Sequence, residues 1–357
     1  MPEAGNVVAV YGATGHTGRF VVQELLQRGY SLRLVARNGE KLAALAGGCR
    51  GQVSWQLGSL DEPASLNRAF VGAAAVVNCA GPFLDTAATV VAAALQNDAH
   101  YVDVAAEQRA VLDVRERFAD AARTSQRIVL PAMAFYGGLA DLLATAVADE
   151  RQSVDDIEVA IALDRWWPTP GTRRTGERNT GPRLVVANGE LVPLADTRVR
   201  RWRFPAPFGE QDVRPVPLSE IVTLAQHFTA RRISTYLNLA PLRDLHDRHT
   251  PPPSAADDSG RSLQTFLMEV RVRSGATERR AIARGRDIYA ITAPLVAEAV
   301  ERILDGRVQH TGVTTAGALF DARDFLTALA PVPLAVEFHS PDRNEESAAT
   351  EPGGRQC

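Results

Sequence analysis

The sequence predicts an α/β protein, with a parallel, doubly wound sheet in residues 1–150 followed by a mixed or antiparallel sheet. Three observations carry that expectation. Short apolar runs alternate with helical patterns up to about Asp149. The first run opens into three glycines, Gly12, Gly15 and Gly18. Beyond Asp149, hairpin signals replace the alternation.

Taken in order, "NVVAVYG" is a short strand, and "GRFVVQELLQRG" puts Phe20, Val21, Val22, Leu25 and Leu26 on one helical face that closes at Gly29. "SLRLVARN" reads as a strand, "GEKLAALAG" as a helix, "VSWQLGSL" as a third strand and "AAVVNCAG" as a buried fourth. "DTAATVVAAALQND" is a helix, "HYVDVAAE" a fifth strand, "VLDVRERFADAARTS" a helix and "RIVLPAMAF" a sixth strand. Short connections of this kind imply right-handed crossovers between parallel strands. After Asp149, "IEVAIALDRWW" is a longer strand, and "LVVANGELVPL" turns at Asn188-Gly189. "RVRRWRF" and "FLMEVRVRSGATERRAIARG" add strands, the latter turning at Ser274-Gly275. The segment "LAPLRDLHDRHTPPPSAADDSGRS", with Pro251, Pro252 and Pro253, is expected as a mobile surface loop. "DIYAITAPLVAEAVERILDG" is an amphipathic helix of the kind that returns to the first domain. The polar stretch from about Pro341 is expected to be disordered. The expected organisation is a dinucleotide domain at 1–150, a substrate and oligomerisation domain at 151–285, a returning segment at 286–335 and a tail at 341–357. No internal repeat is found.

The 357 residues are 45% apolar, enough for one large core or two. A net charge of −3 gives no electrostatic reason to expect nucleic acid as a partner. Three separated cysteines, Cys49, Cys79 and Cys357, offer neither a disulfide framework nor a zinc site, so no metal is expected. No run reaches the length of a membrane span, and no basic, apolar leader opens the chain, so a cytoplasmic protein is expected. Lys41 is the only lysine, which leaves one candidate for any lysine-dependent chemistry.

The spacing "GATGHTG" is G-x-x-G-x-x-G. Gly12 permits a sharp exit from the strand, Gly15 lets backbone N–H groups approach a pyrophosphate, and Gly18 allows the helix to pack close on the strand. Thr14 and Thr17 can add hydroxyl donors, with His16 between them. Because the trio follows a strand and opens a helix, it reads as a dinucleotide turn. At the end of the second strand, an NAD site places a carboxylate. Here stand Arg37, Asn38 and, one helical turn on, Lys41, which suit a 2′-phosphate, so NADP(H) is the expected cofactor. Ser59 and Leu60 lie where adenine is cradled. Asn78, Ala80, Gly81, Pro82 and Phe83, at the end of the fourth strand, lie on the nicotinamide side.

The stretches "VYGATGHTGRFVVQELLQRG", "LVARNGEKLAAL", "VVNCAGPF", "HYVDVAAE" and the late "ARGRDIYAITAPLVAEAVERILDG…TGVTTAGALFDARDFLTAL" resemble the saccharopine dehydrogenase-like NADP-binding oxidoreductases, a group that includes trans-acting enoyl reductases. The resemblance covers residues 6–148 well, 280–330 moderately and the middle weakly. It implies a Rossmann domain, an inserted mixed α+β substrate domain and a C-terminal return to the first domain. It also implies hydride transfer between NADP(H) and a C=N or conjugated C=C bond, and a homodimer. In place of the family's Gly-Glu after "YVD" stands Ala106-Glu107, and "AFYGGLAD" replaces its next motif.

No tyrosine is followed four residues later by lysine, which excludes the Tyr-x-x-x-Lys mechanism. Tyr136, just beyond the sixth strand with Gly137 and Gly138 leaving room, is the first catalytic candidate. Tyr101 and Asp103 on the fifth strand are further candidates, although Tyr101 could equally be core and Asp103 a helix cap. Asp141 caps or lines the helix after the double glycine. Trp166 and Trp167, with Trp202, Phe204 and Phe208, could wall an apolar pocket. Arg173, with Arg174, Arg178 and Arg183, could meet a carboxylate or phosphate. The reading is an NADPH-dependent reductase of an activated C=C bond in an apolar small molecule, with Tyr136 or water as proton source. The alternatives are an imine reductase and a non-catalytic NADP(H)-binding redox sensor.

Overall fold

The computed structural model describes residues 7–148, 154–308 and 310–339. The tail expected at 341–357 lies outside them, as do Asn6 and the change of texture at Asp149. The first sheet is built from β1 (Val7–Tyr11), β2 (Ser31–Ala36), β3 (Val53–Leu57), β4 (Ala73–Asn78), β5 (His100–Asp103) and β6 (Ile128–Leu130). Helices α1 (His16–Gln27), α2 (Gly39–Gly48), α3 (Pro63–Phe70), α4 (Phe83–Gln96) and α5 (Gln108–Thr124) make the crossovers. All pairings in this sheet are parallel, in the order β3-β2-β1-β4-β5-β6. The order reverses between β1 and β4, and ligands bind at such a switch point, outside the carboxyl ends of the strands. The central strands β1 and β4 are almost wholly buried because helices cover both faces, whereas β3 at the edge is exposed. Helix α3 escaped the sequence reading: only Leu66, Ala69 and Phe70 give it an apolar face.

After β6 the chain makes a π-helical turn, Phe135–Leu139, and enters α6 (Ala140–Val147). The expected sixth strand is therefore only three residues long. The second sheet follows: β7 (Val154–Leu163), α7 (Pro170–Arg178), β8 (Leu184–Ala187), β9 (Glu190–Pro193), β10 (Arg200–Arg203), β11 (Glu210–Pro215), α8 (Ser219–Ala225), β12 (Ala230–Asn238), α9 (Leu239–His246), β13 (Thr265–Ser274) and β14 (Thr277–Arg286). The β8–β9 hairpin turns at Asn188 (φ 53°) and Gly189 (φ 83°), the left-handed pair a two-residue turn demands. The β13–β14 hairpin turns at Gly275 (φ 59°). The sheet is mixed, since β7 runs parallel to β12 and antiparallel to β13. The segment expected as a loop at 239–262 begins with α9, whose Pro241 and Leu242 are buried.

The chain then runs back to the first sheet. Helix α10 (Thr292–Leu304) packs on α1, where Arg28 donates to Glu298 at 2.7 Å and Glu301 at 2.6 Å. Strand β15 (Gly312–Val313) extends the first sheet beside β6. Helices α11 (Ala316–Leu319) and α12 (Ala322–Leu329) pack on α6, and β16 (Ala335–His339) pairs with β14 at the edge of the second sheet. One core joins β1, β4, α6, α10 and the helix-covered face of the second sheet. Trp202, Phe204 and Tyr236, with Phe208 against them, form a separate cluster with Ala160, Leu267 and Ile282. Among the described residues, no helix is long and apolar enough to cross a membrane.

Candidate functional site

A cavity of about 1320 Å³ lies at the switch point of the first sheet, between its carboxyl edge and the second sheet's α7 and α9. One end is lined by Arg37, Asn38 and Lys41, the middle by Gly12, Thr14, Gly15, His16 and Thr17, and the far end by Ala80, Gly81, Phe83, Glu107, Tyr136 and Trp166.

The glycine turn is set by close packing. Gly12 sits at φ 79°, and a Cβ there would lie 2.8 Å from the amide nitrogen of Ala80. A Cβ on Gly18 would lie 2.3 Å from the Gly12 carbonyl oxygen, so Gly18 supports the turn from beneath and does not face the cavity. No side chain caps α1, so the amides of its first turn stay available. His16 Nε2 is buried without a hydrogen-bond partner, and burial pushes that imidazole below its usual range. Its ring stands edge-on to Phe20 at 5.3 Å and Tyr289 at 5.4 Å. Asn38 accepts the Lys41 N–H at 2.9 Å and caps α2, while the Arg37 and Lys41 side chains form no ion pair with a described residue. A bare helix N-terminus, an orphaned imidazole nitrogen and two free cations along one cavity fit a phosphorylated dinucleotide.

Several residues singled out from sequence lie elsewhere. Asn78 is fully buried: it donates to Tyr101 Oη at 3.1 Å and Thr86 Oγ1 at 3.3 Å, and accepts the Ala80 N–H at 3.0 Å. It shapes the turn from behind. Tyr101 is equally buried and donates to Asp103 at 2.8 Å. Asp103 also accepts the amides of Ala105 at 2.9 Å and Ala132 at 2.7 Å. That carboxylate therefore ties two loops of the first sheet together, and neither Tyr101 nor Asp103 reaches the cavity, which removes them as catalytic candidates. Ser59, Leu60 and Pro82 do not line it either; the Ser59 N–H is held by Ser65 at 2.9 Å. Trp167 points to a second surface depression, under the Arg165 guanidinium at 5.1 Å. Trp202, Phe204 and Phe208 belong to the separate cluster and do not wall the cavity. Arg173 lines the cavity but spends its guanidinium on the carbonyls of Leu245, Asp247 and Thr250 at 2.9–3.2 Å, clasping the end of α9. Arg178 is paired with Asp85 on α4.

Tyr136 and Trp166 do line the far end. The Tyr136 ring packs on Phe135 (5.0 Å between centroids), and its hydroxyl is shielded from solvent with no hydrogen-bond partner. Burial pushes that phenol well above its ordinary range, so it stays protonated. The Trp166 indole N–H donates to Tyr289 Oη at 3.0 Å; the same oxygen accepts the Thr169 N–H at 3.4 Å and shares a hydrogen bond with Thr172 at 2.8 Å. That hub holds α7 across the cavity mouth. Tyr289 and Glu107 were not assigned to the site from sequence. Glu107 accepts the N–H groups of Phe83 at 2.7 Å and Ala106 at 3.1 Å, and burial raises its pKa. Only proximity in space reveals either role. Asp141, in the first turn of α6, accepts the Gly317 N–H at 2.8 Å and pairs with His227 at 2.5 Å, away from the cavity.

A family model described as NAD(P)H-binding matches residues 12–124, the stretch from the glycine turn to the end of α5. The "probable mitochondrial saccharopine dehydrogenase-like oxidoreductase" of Arabidopsis thaliana is 28% identical over 220 residues, 57% of this chain and 48% of that protein. Over that stretch the chain is similar to a saccharopine dehydrogenase-like oxidoreductase. It spans about half the length of this curated relative. The apo saccharopine dehydrogenase (L-Glu forming) of Saccharomyces cerevisiae shares the fold, with a TM-score of 0.62 at 12% identity, over 94% of this chain and 100% of that one. The cavity-lining residues within the stretch matched by the NAD(P)H-binding model are thus the dinucleotide-binding candidates.

Proposed function

We propose that this protein is an NADPH-dependent reductase of an activated C=C bond in an apolar small molecule. The observation that carries the reading is the continuity of one cavity, from two free cations, past a bare helix N-terminus, to an aromatic chamber. Arg37 and Lys41 would hold the 2′-phosphate, the first turn of α1 the pyrophosphate, and the Ala80–Gly81 backbone the nicotinamide side. Bound there, the cofactor supplies a hydride at the chamber.

Phe83, Phe135, Tyr136 and Trp166 give that chamber apolar walls. The Tyr136 hydroxyl, buried and unpartnered, gains a hydrogen-bond acceptor when a substrate carbonyl enters beside it. Its raised pKa makes it a donor of a hydrogen bond more readily than of a proton, which leaves water to protonate carbon. An amino-acid-like imine would need an arginine clamp; Arg173 and Arg178 are already engaged in structural bonds, which leaves Arg174 and Arg183 of the cavity lining for that reading. The test is a panel of enones and cyclic imines offered with NADPH. Oxidation by enones alone supports C=C reduction, and oxidation by imines alone would replace it with C=N reduction.

A further inference from the structure

We propose that Arg183 is the oxyanion contact of the substrate, placed at the nicotinamide end of the cavity to meet the carbonyl oxygen of a conjugated C=C bond. The inference rests on the reductase reading above and assigns a residue that the reading does not need.

Arg183 immediately precedes β8, and its position is fixed from both sides. The Gln108 side-chain amide donates to the Leu184 carbonyl at 2.8 Å and accepts the Leu184 N–H at 2.8 Å. The Leu194 N–H donates to the Arg183 carbonyl at 2.7 Å. The residue is partly buried and lines the cavity. Unlike Arg173 and Arg178, its guanidinium has no hydrogen bond or ion pair with a described residue. Glu107 and Glu220 are close enough to act on it electrostatically, yet neither forms an ion pair with it. The Glu107 oxygens are taken by two backbone amides, and Glu220 accepts the Leu218 N–H at 2.8 Å. Glu220 also acts electrostatically on Tyr136, so the guanidinium and the orphaned hydroxyl both lie near one buried carboxylate. A guanidinium on an anchored stretch of backbone, partly desolvated and lining a cavity, is suited to an anionic oxygen.

The chemistry gives that oxygen a reason to be there. When the β-carbon of a conjugated carbonyl compound gains a hydride, the alkene electron pair moves to the bond between the α-carbon and the carbonyl carbon. The carbonyl pair moves onto oxygen. The two electrons come from the reduced dinucleotide, which leaves oxidised, and the enolate is discharged when its α-carbon takes a proton from water. Negative charge thus develops at the one atom that Arg183 would hold, and donors aimed at developing charge accelerate such steps.

The test needs no known substrate. 4-Nitrophenol, whose phenolate mimics an enolate and is read by its visible absorbance, is titrated into the complex of the protein with NADP⁺. The wild type is expected to bind the phenolate and to raise its fraction at fixed pH. Arg183→Gln should bind it about tenfold more weakly or worse while still binding NADPH. Arg183→Lys, which keeps the charge and loses the planar fork, should fall between the two. No phenolate binding by the wild type, or phenolate affinities within about twofold in wild type and Arg183→Gln, would overturn the proposal. Should Arg183→Gln fail to fold, equal phenolate binding by wild type and Arg183→Lys overturns it instead. The enone panel separates the two readings: phenolate binding that depends on Arg183, with no enone reduced, sinks the reductase reading and leaves the oxyanion site standing. Enone reduction unaffected in Arg183→Gln does the reverse.

Discussion

Glu107 accepts the backbone N–H of Phe83 at 2.7 Å, so a carboxylate at the start of α5 fastens the turn that opens α4. The same carboxylate accepts the N–H of Ala106 at 3.1 Å, and both amides lie in a part of the chain that lines the cavity. Leaving a buried amide without an acceptor costs about 1–3 kcal/mol. Glu107→Ala should therefore lower the melting temperature and weaken NADPH binding together, measured by thermal denaturation and fluorescence titration. Glu107→Gln, which still offers one acceptor oxygen, should lose less of both. If Glu107→Ala binds NADPH as the wild type does, the turn is held by something else.

Gly12 is a position at which a single methyl group should weaken cofactor binding. Its φ of 79° is in the left-handed region, and a Cβ would meet Ala80 backbone at 2.8 Å. Neither atom can yield cheaply, because Ala80 is itself pinned by Asn78. Gly12→Ala should lose NADPH affinity by about tenfold or more while the second sheet keeps its circular-dichroism signature. Wild-type affinity in that variant would mean that the dinucleotide does not pass over this turn.

Much of this was legible in the chain. Gly12, Gly15 and Gly18 declare the turn because each is needed for a local reason, and Asn188-Gly189 declares its hairpin likewise. What stayed hidden depends on partners distant in sequence. Strand β12 has to cross over to lie parallel to β7, and no local pattern specifies that. Trp166 and Trp167 are neighbours in sequence and face different depressions, so composition could not tell them apart. Tyr101 and Asp103 look catalytic in a string of letters, and only the amides of Ala105 and Ala132 show the carboxylate to be occupied. Among four clustered arginines, two are spent on Asp85 and on the carbonyls at the end of α9, which sequence spacing does not reveal.

Removing the Tyr136 hydroxyl should cost the fold nothing. That oxygen is buried without a partner, so Tyr136→Phe deletes an unsatisfied polar atom and should melt at or above the wild-type temperature. Enone turnover should nevertheless fall by about tenfold or more, because the hydrogen bond to the substrate carbonyl is gone. A variant that is both as stable and as active as the wild type would leave Tyr136 as a wall of the chamber and nothing more.

Glu220 should make the protein less stable at neutral pH than in mild acid. Burial raises its pKa to about 7, above the ordinary 4.5 of a glutamate. A carboxyl whose folded-state pKa is raised contributes stability that is complete below its unfolded pKa and is lost as pH rises through the folded one. The loss spans roughly pH 4.5 to 7 and is on the order of 3 kcal/mol. Arg183 acts on it electrostatically, and it acts in turn on Tyr136. Glu220→Gln removes the titration, so its melting temperature should change less between pH 5 and pH 8.5 than that of the wild type. Parallel pH dependences in the two proteins would place the titration on another group.

The central claim is that the cavity holds NADPH by way of Arg37. Fluorescence titration of the wild type and Arg37→Ala with NADPH and with NADH tests it most directly. The account predicts that wild type prefers NADPH, and that Arg37→Ala loses about tenfold or more of its NADPH affinity while NADH binding changes little. Equal losses for both dinucleotides, or a wild type that prefers NADH, would contradict it.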